Sequence, residues 1–376
     1  MSEGRAGAKT TLGARIGVLG AGQLGRMLGL AGRALGFELV FLDPSPLSPA
    51  AAVGEHLVSD YADGAALLRL AGSDVVTFEF ENVPVAAVKA LEGRVQVYPS
   101  SAALEVAQDR LNEKSCFRAL GIDTPPFEPV NTWSELTDAL ERVGLPAVLK
   151  TRRLGYDGKG QAVLRSLDDA KRAFDELGSV PLILEGFVRF ERELSIIAVR
   201  SSTGETACYP LVENHHAGGI LQKTLAPAPG ITSELQQAAS RSVEKLLAHL
   251  DYVGVLALEL FEVGGALLAN EIAPRVHNTG HWTIEGARTS QFENHLRAIL
   301  GLPLGSTEPL SLSAMLNIIG IAPEPARILA VPDAHLHWYG KAPRPGRKVG
   351  HVTVRAPDAD TLAQRVAALE RVIARP

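Results

Sequence analysis

The sequence predicts a chain of mixed α/β and α+β class, with a leading domain of parallel strands, a larger middle domain and a small C-terminal module. From residue 15 to about residue 100, short apolar runs alternate with helical stretches, which is typical of parallel strands joined by crossover helices. Prolines interrupt this pattern at residues 121–130, and beyond them most apolar runs indicate strands joined by short loops. A strand and an amphipathic helix end the chain.

Length and composition limit the class of protein. A chain of 376 residues with 46% hydrophobic side chains can form two or three domains with buried cores. A net charge of −5 argues against a large nucleic-acid interface, so no nucleic acid is expected as a partner. No apolar run approaches the ~20 residues of a membrane span, and residues 1–14 lack the apolar core of a secretory signal. We therefore expect a disordered tail there and no membrane association.

The two cysteines give no sign of a metal or disulfide framework. Cys116 and Cys208 lack CxxC spacing and have no partner motif. A reducing environment suits such a chain, and a cytoplasmic protein is expected.

A glycine-rich turn follows the first strand. Gly20, Gly22 and Gly25 have the G-x-G-x-x-G spacing, and Asp43 ends the next strand at about the distance of a ribose-binding acid. The following helix exposes amides that suit an anion. Many doubly wound domains have such a turn without a dinucleotide. An NAD-dependent oxidoreductase and a glycine turn with another role both remain open at this point.

The remaining elements follow from periodicity and capping. Residues 101–120 predict one helix capped by Ser100 or Ser101, and further helices are expected near 167–177 and 233–249. The strands of the middle domain are expected at AVLKT, QAVLR, LILEGFV, ELSIIAVR, TACYPLVE, YVGVLALELFEV and ALLANEI. The C-terminal strand and helix are expected at KVGHVTVRA and LAQRVAALERVIA.

A glycine loop follows a lysine on a strand. Lys150 lies near the end of AVLKT, and Gly155, Gly158 and Gly160 lie in the turn before the next strand. Such glycines leave backbone amides free to close over a polyphosphate, and the lysine supplies a point charge. A flexible surface hairpin with an edge lysine is the alternative.

Two acidic residues are expected to face one another on a hairpin. A three-residue loop over 264–266 pairs Phe261 with Ala269 and Glu259 with Glu271. Like charges directly opposite destabilise a strand pair, so a cation between them is expected. Mg²⁺ shares its shell between one or two carboxylates and substrate phosphates. A pair of acids that shares one proton is the alternative.

A polar cluster follows the second acidic strand. Arg275, His277, Asn278 and His281 lie within IAPRVHNTGHWT, and their cation, amide and imidazoles suit a small anion. The alternative is a polar loop whose histidines cap or pack, and we expect packing for His281.

Five ordered motifs extend over nearly the whole chain past residue 15: GQLGRM, FEFENVP, GYDGKGQ, NEIAPRVHNTGHWT and WYGKAPRPGRKVGH. Together with the strand lysine and the acidic hairpin, they resemble the ATP-grasp ligases, and more narrowly the ATP-dependent carboxyaminoimidazole ribonucleotide synthases of purine biosynthesis. The resemblance implies a Rossmann-like pre-ATP-grasp domain over 15–110, an ATP-grasp domain of two α+β subdomains over 111–305 and a C-terminal domain over 306–376. In that family the glycine turn helps to hold a ribonucleotide.

The resemblance also implies the residues of each site. ATP would be bound by Arg110, Lys150, Gly155, Tyr156, Asp157, Gly158, Lys159, Gly160, Gln161, Glu185, Gly186, Phe187, Val188, Glu193, His216, Asn270 and Glu271. Mg²⁺ would be bound by Glu259 and Glu271. The ribonucleotide would be bound by Gln23, Leu24, Glu81 or alternatively Glu79, Tyr156, Asp157, Asn278, Lys341, Arg347 and Lys348. The catalytic residues would be Arg275, His277, Tyr156 and Lys150.

Particular roles follow within these sets. The main chain of residues 185–188 would line the adenine, and Glu193 would bind the ribose hydroxyls. Lys341, Arg347 and Lys348 would bind the phosphate of the ribonucleotide. Whether His215 or His216 meets ATP is left open by the sequence.

The implied reaction carboxylates the exocyclic amine of aminoimidazole ribonucleotide with ATP and bicarbonate, through carboxyphosphate. Arg275 with His277 would hold the carboxylate, and either His277 or Tyr156 would move a proton. The expected partners are these small molecules, with the protein as a homodimer. The nearest alternative is a formate-dependent glycinamide ribonucleotide formyltransferase, which shares the fold and an acyl-phosphate step. A biotin carboxylase, an NAD-dependent oxidoreductase and a nucleotide sensor without turnover are further alternatives.

Overall fold

The computed structural model describes residues 13–155 and 158–374, which form three sheets with helices on their faces. The mixed α/β and α+β class is confirmed. The predicted tail lies outside the described residues except for Gly13 and Ala14, and Ala14 is buried. None of the described helices has the length and apolar character that crossing a bilayer requires.

The leading sheet is parallel, in the strand order β3-β2-β1-β4. Its strands are β1 (Arg15–Leu19), β2 (Glu38–Asp43), β3 (Glu55–Val58) and β4 (Val75–Phe78). Its helices are α1 (Gln23–Ala34), α2 (Gly64–Leu70) and α3 (Val85–Glu92), with a 3₁₀ turn at Pro49–Ala52. After α3, the apolar run VQVYPS joins this sheet only through one parallel bridge between Val76 and Val97. The glycine turn follows the carboxyl end of β1, where ligands of such sheets bind.

The helix predicted over 101–120 is two helices, α4 (Ser101–Gln108) and α5 (Arg110–Ala119). Ser100 caps the first, with its hydroxyl accepting from the Ala103 N–H at 3.3 Å. Asp109 has extended backbone angles and caps the second by accepting from the Leu111 N–H at 3.0 Å. The same carboxylate binds the Arg152 guanidinium through two hydrogen bonds of 2.9 and 2.8 Å. The Asp109 carboxylate at this break therefore attaches the start of α5 to Arg152 at the base of the glycine loop.

The small sheet is antiparallel, in the order β5-β8-β6-β7. Its strands are β5 (Phe127–Val130), β6 (Ala147–Thr151), β7 (Gln161–Leu164) and β8 (Leu182–Gly186). Its helices are α6 (Trp133–Val143) and α7 (Leu167–Leu177), and α7 has the predicted bounds. One apolar core joins these two helices to the sheet, through Leu136 of α6 and Ala170 of α7.

The large sheet has the order β14-β13-β9-β11-β12-β15-β17-β16, with β10 also paired to β9. Its strands are β9 (Arg192–Arg200), β10 (Thr206–Cys208), β11 (Val212–Ala217), β12 (Ile220–Ala226), β13 (Gly254–Val263), β14 (Ala266–Ala273), β15 (Leu312–Ile319), β16 (Ala334–Trp338) and β17 (Lys348–Ala356). Its helices are α8 (Ser233–His249), α9 (Thr283–Gly286), α10 (Gln291–Ile299), α11 (Pro325–Leu329) and α12 (Ala359–Ala374), with a 3₁₀ turn at Asn278–Gly280. The strand predicted at TACYPLVE is divided between β10 and β11.

The C-terminal strands extend the sheet of the middle domain instead of forming a separate one. β15 pairs with β12 and β17, so the hydrogen-bonded ladder crosses the predicted domain boundary. The domain limits at residues 110 and 305 stay predictions.

The leading domain packs against the large sheet through α1 and α10. Thr77 of β4 and His295 of α10 are fully buried, and the Thr77 Oγ1 and His295 Nε2 atoms are 2.9 Å apart. Val255 donates its N–H to His295 Nδ1 at 3.1 Å, which assigns the ring proton to Nε2. Leu28 and Leu296 belong to one apolar core. This shared core fixes the glycine turn relative to the middle domain.

Candidate active site

A cleft of about 500 Å³ lies between the small sheet and the β13–β14 end of the large sheet. The predicted ATP residues that line it are Arg110, Lys150, Gly155, Gly158, Lys159, Gln161, Glu185, Gly186, Phe187, Val188, Glu193, His216, Asn270 and Glu271. The other predicted residues in its wall are Gln23, Leu24, Glu81, Glu259, Arg275, His277, Asn278 and Lys348. Tyr156 and Asp157 lie outside the described residues. The structure thus gathers residues from all the motifs at one place.

The glycine turn is filled by a carboxylate of the protein itself. Glu79 accepts hydrogen bonds from the N–H groups of Gly22 and Gly25, the latter at 2.6 Å. Asp43 accepts from the Ala21 N–H at 3.1 Å instead of pointing at a ribose. The anion-binding amides at the start of α1 are therefore occupied. The dinucleotide interpretation is wrong for this reason, and Glu79 lies outside the cleft wall whereas Glu81 lies in it.

The glycine loop, called the flap from here on, joins β6 to β7 at the edge of the cleft. Gly158 and Gly160 have φ angles of 76° and 70°, a left-handed conformation that other residues disfavour. Gly160 does not line the cleft, and a Cβ there would lie 2.6 Å from Thr151 Oγ1. Lys150 Nζ donates to Glu185 Oε2 at 3.0 Å. Glu185 therefore contributes its side chain to the cleft as the partner of Lys150, whereas the sequence analysis assigned only its main chain to a ligand.

The acidic hairpin pairs Glu259 with Glu271, as predicted, but the register shifts after Glu259, so Phe261 pairs with Leu268 instead of the predicted Ala269. The loop contains only Gly264 and Gly265, with φ angles of 58° and 76°. Two successive positive φ angles form a tight two-residue turn whose twist matches that of the flanking strands. Asn270 is an extra residue opposite the Glu259–Leu260 step, which makes a β-bulge. The prediction of a three-residue loop was wrong, and the bulge compensates for the missing residue.

The two carboxylates have different surroundings. Arg110 donates to Glu271 Oε2 at 2.9 Å and, although burial opposes it, lowers the pKa of Glu271 below its usual value. Glu259 Oε1 lies 3.4 Å from His277 Nε2. Burial and then the negative charge of Glu271 raise the pKa of Glu259. Within the described ranges no larger group of metal-ligating side chains gathers, so a divalent ion here would depend on this pair and on phosphate or water oxygens.

Arg275 and His277 follow β14 and line the cleft. The Arg275 guanidinium donates to Glu81 and, although burial opposes it, lowers the pKa of Glu81 to about 2. Burial and the positive charge of Arg275 hold the pKa of His277 well below its usual value. The buried side chain of Gln291 accepts from the His277 N–H at 2.9 Å and donates to its carbonyl at 2.6 Å. Gln291 thus fixes the backbone of His277, a role that its position in the sequence does not reveal.

A basic hollow adjoins the cleft, because Gln23, Lys159 and Lys348 line both spaces. Lys341 and Arg347 lie in its wall, and the Lys341 ammonium donates to the Gln23 side chain. Burial and the nearby charge of Arg347 lower the pKa of Lys341 to about 8. The three cations predicted for a phosphate are therefore brought together against the start of α1.

The structure distinguishes the two neighbouring histidines. His216 lines the cleft and its Nδ1 bonds to the carboxylate of Glu193. His215 Nε2 instead lies 3.0 Å from Glu213. The two histidines are successive residues of β11, so their side chains point to opposite faces of the sheet. His216 is therefore the residue placed at the cleft.

An aromatic pair at the cleft was missed by the sequence analysis. Phe190 and Phe261 stack with ring centroids 4.8 Å apart and planes 8° from parallel, and both line the cleft. His281 lines it too, but it is buried and packs on His351 with centroids 4.6 Å apart, in agreement with the packing role expected. The aromatic pair has no local sequence signal, since Phe190 lies in a loop far along the chain from β13.

Comparisons with known proteins agree with this arrangement. Sequence profiles match the ribonucleotide synthetase preATP-grasp domain over residues 13–108, the ATP-grasp domain over 115–292 and the phosphoribosylaminoimidazole carboxylase C-terminal domain over 313–365. N5-carboxyaminoimidazole ribonucleotide synthase of Pseudomonas aeruginosa is 57% identical over 360 residues, covering 96% of this chain and 99% of that protein. Its counterpart in Brucella melitensis is 50% identical over 355 residues, covering 92% and 98%.

Solved structures show the same similarity. N5-carboxyaminoimidazole ribonucleotide synthetase from Thermus thermophilus has a TM-score of 0.93 at 58% identity, covering 96% of this chain and 99% of that one. The Aspergillus clavatus synthase, in complex with ADP and 5-aminoimidazole ribonucleotide, has a TM-score of 0.90 at 35% identity, covering 97% and 100%. Because the similarity extends along nearly the full length of these relatives, the chain belongs to the N5-carboxyaminoimidazole ribonucleotide synthase family of ATP-grasp ligases.

Proposed function

We propose that the protein uses ATP and bicarbonate to carboxylate the exocyclic amine of aminoimidazole ribonucleotide in purine biosynthesis, releasing ADP and phosphate. The observation that carries this proposal is the continuity of two sites. The cleft with Glu259 and Glu271 adjoins the basic hollow around Lys341, and Gln23 and Lys159 line both. A nucleoside triphosphate and a phosphate monoester could therefore bind with their reacting groups adjacent.

The cleft residues suit the parts of ATP. Arg110 and Lys150 place positive charge beside the position of the phosphates, and the flap supplies backbone amides. The side chains of Glu193 and His216, which are hydrogen-bonded to each other, would bind the ribose hydroxyls. The stacked phenylalanines offer an apolar face to the adenine.

The acidic hairpin fits Mg²⁺. Glu259 and Glu271 project from opposed positions into one cleft, and two carboxylates leave coordination positions for phosphate and water oxygens. When bound, the ion would neutralise negative charge on the terminal phosphates.

The proposed chemistry has two steps. An oxygen of bicarbonate bonds to the γ-phosphorus and ADP leaves, which gives carboxyphosphate. The amine nitrogen then bonds to the carboxyl carbon, the carbon–oxygen bond to phosphate breaks, and the nitrogen loses a proton. Transfer through released CO₂ satisfies the same balance. Arg275 and the neutral imidazole of His277 would hold the carboxylate as hydrogen-bond donors, and closure of the flap would exclude water from an intermediate that hydrolyses readily.

We also propose a homodimer in the cytoplasm. Cys116 and Cys208 are free thiols, which suits a reducing compartment. Leu30 and Leu47 of the leading domain expose 46% and 90% of their surface, as an association surface would. Light scattering on the purified protein should give twice the mass of one chain, and a single-chain mass would contradict the dimer.

The reaction is tested by measuring ADP release while one component is omitted at a time. We expect full turnover only with ATP, Mg²⁺, bicarbonate and aminoimidazole ribonucleotide together. Formate with glycinamide ribonucleotide should give no ADP, because the family to which the chain belongs carboxylates a different amine. ADP release that depends on formate, or on neither acid, would overturn the proposed function.

The metal assignment predicts that Glu271→Gln lowers kcat by about 100-fold or more, because an amide cannot replace a carboxylate on a divalent ion. ADP release measures the effect, and circular dichroism checks that the variant folds. Glu128→Gln is the matched control, since Glu128 is another strand glutamate that pairs with an arginine, Arg142 at 3.2 Å, outside the cleft. A folded Glu271→Gln variant with normal turnover would remove the assignment.

The phosphate assignment predicts that Lys341→Ala raises KM for the ribonucleotide by about 10-fold to 100-fold, the range expected for one lost charge-assisted hydrogen bond. KM for ATP should change by less than about 2-fold, because Lys341 lines the hollow and not the cleft that we assign to ATP. Steady-state kinetics with each substrate varied gives both constants. Lys223→Ala is the control, because Lys223 pairs with Glu370 at 2.9 Å instead. Equal increases in both constants would count against the assignment.

A further inference from the structure

Lys114 of α5 has a fully buried ammonium group that belongs to none of the sites described above. Its side chain is 0% exposed and it does not line the cleft. Its Nζ lies 3.4 Å from Glu185 Oε2 and donates to the Ala269 carbonyl at 3.3 Å. A buried ammonium is costly unless it is paired and hydrogen-bonded, so its two contacts require an explanation.

The two partners of Lys114 belong to different sheets. Glu185 lies on β8 of the small sheet, and Ala269 lies on β14 at the edge of the large sheet. The proposed ATP cleft lies between these sheets. One ammonium group, which is not part of the cleft wall, therefore contacts both of the sheets that form the cleft.

Lys114 also changes the net charge of the Lys150–Glu185 pair beside the cleft. Glu185 accepts from Lys150 at 3.0 Å as well, and Lys150 lines the cleft. Although burial opposes ionisation, Lys114 and then Lys150 hold the pKa of Glu185 at about 2, so this residue is a carboxylate. With two lysines on one carboxylate, the group keeps a net positive charge toward the cleft. Without Lys114, Glu185 would neutralise Lys150.

Two neighbouring residues of α5 bind the backbone of β14, the strand that carries Glu271. Glu113 Oε1 accepts from the Ile272 N–H at 2.6 Å, while Lys114 donates to the Ala269 carbonyl. These two contacts lie on either side of Glu271, at the bulge where the strand ladder is interrupted. The backbone that carries Glu271 is therefore fixed by α5 where its own sheet fixes it least.

We propose that Lys114 is a positioning residue that sets the separation between the Lys150–Glu185 pair and the backbone of Glu271, and so aligns the phosphate-binding lysine with the metal-binding carboxylate. This inference rests on the proposed function in assigning ATP and Mg²⁺ to the cleft. Lys114 would thus affect nucleotide binding through Glu185 and the backbone of Glu271, without contacting the nucleotide itself.

The test is Lys114→Met, which keeps the length of the side chain and removes its charge. ADP binding in the presence of Mg²⁺, measured by calorimetry, should weaken by about 10-fold or more, the scale typical of residues that orient ligand-binding groups. KM for ATP should rise similarly, and KM for the ribonucleotide by less than about 2-fold. Lys114→Arg should recover part of the lost affinity, since it restores the charge.

Lys245→Met is the matched control, because Lys245 also donates to a backbone carbonyl, that of Leu120 at the end of α5, at 3.2 Å. It should leave ADP affinity unchanged. Normal ADP affinity in a folded Lys114→Met protein, or equal changes in both KM values, would overturn the inference.

A second comparison covers the case in which Lys114→Met does not fold. The double variant Lys114→Met with Glu185→Gln leaves no unpaired buried charge between these two residues. If it binds ADP as Glu185→Gln alone does, Lys114 acts through Glu185 as proposed. If the two losses of affinity multiply, the effects are independent and the inference fails. Because ADP binding needs neither bicarbonate nor ribonucleotide, a failed turnover assay would count against the proposed function and leave this test intact.

Discussion

The opposition of Glu259 and Glu271 on one hairpin is the constraint on which the rest of the structure depends. Two acids on paired strands repel one another, and partial burial strengthens the repulsion. Groups from distant segments surround the pair: the Arg110 guanidinium of α5 binds Glu271 at 2.9 Å as a cation, and the neutral imidazole of His277, after β14, lies 3.4 Å from Glu259. A hairpin that carried these acids without such neighbours would not be stable with both acids ionised. The surrounding elements are therefore arranged around a concentration of negative charge.

The sequence predicted this pairing by counting positions outward from the turn, although a one-residue error in the turn, left uncorrected, changes the partner of every residue. The predicted loop was one residue too long, and the bulge at Asn270 restored the register. A bulge of this kind has no local signal. It coincides with contacts from outside the hairpin, where Ala269 donates to the Asp123 carbonyl at 2.7 Å and accepts from Thr124 at 2.8 Å. Pattern reasoning therefore located the site but could not describe its backbone.

The glycine turn shows the opposite limit. The spacing of Gly20, Gly22 and Gly25 predicted amides that receive an anion, and the structure has those amides, but they bind the side chain of Glu79, which follows a strand far along the chain. A motif specifies a binding geometry, whereas its occupant depends on which side chain the sheet brings within reach. The same argument applies to the break at Asp109. Helical periodicity continues on both sides of it, and the distant Arg152 and Arg153, which both bind the Asp109 carboxylate, show why the helices separate there.

The distribution of charge along the cleft and the basic hollow gives an order to the proposed ligands. Arg275 shares its charge with Glu81, so it keeps directed N–H donors but presents little net charge, which suits a singly charged carboxylate better than a polyphosphate. In the hollow, Lys341 lies near Arg347 with no acid among the described residues of the wall, and that excess of positive charge suits a phosphate monoester. Arg275 in the cleft and Lys341 in the hollow therefore suit different anions, a carboxylate and a phosphate monoester, and the two spaces adjoin through Gln23 and Lys159.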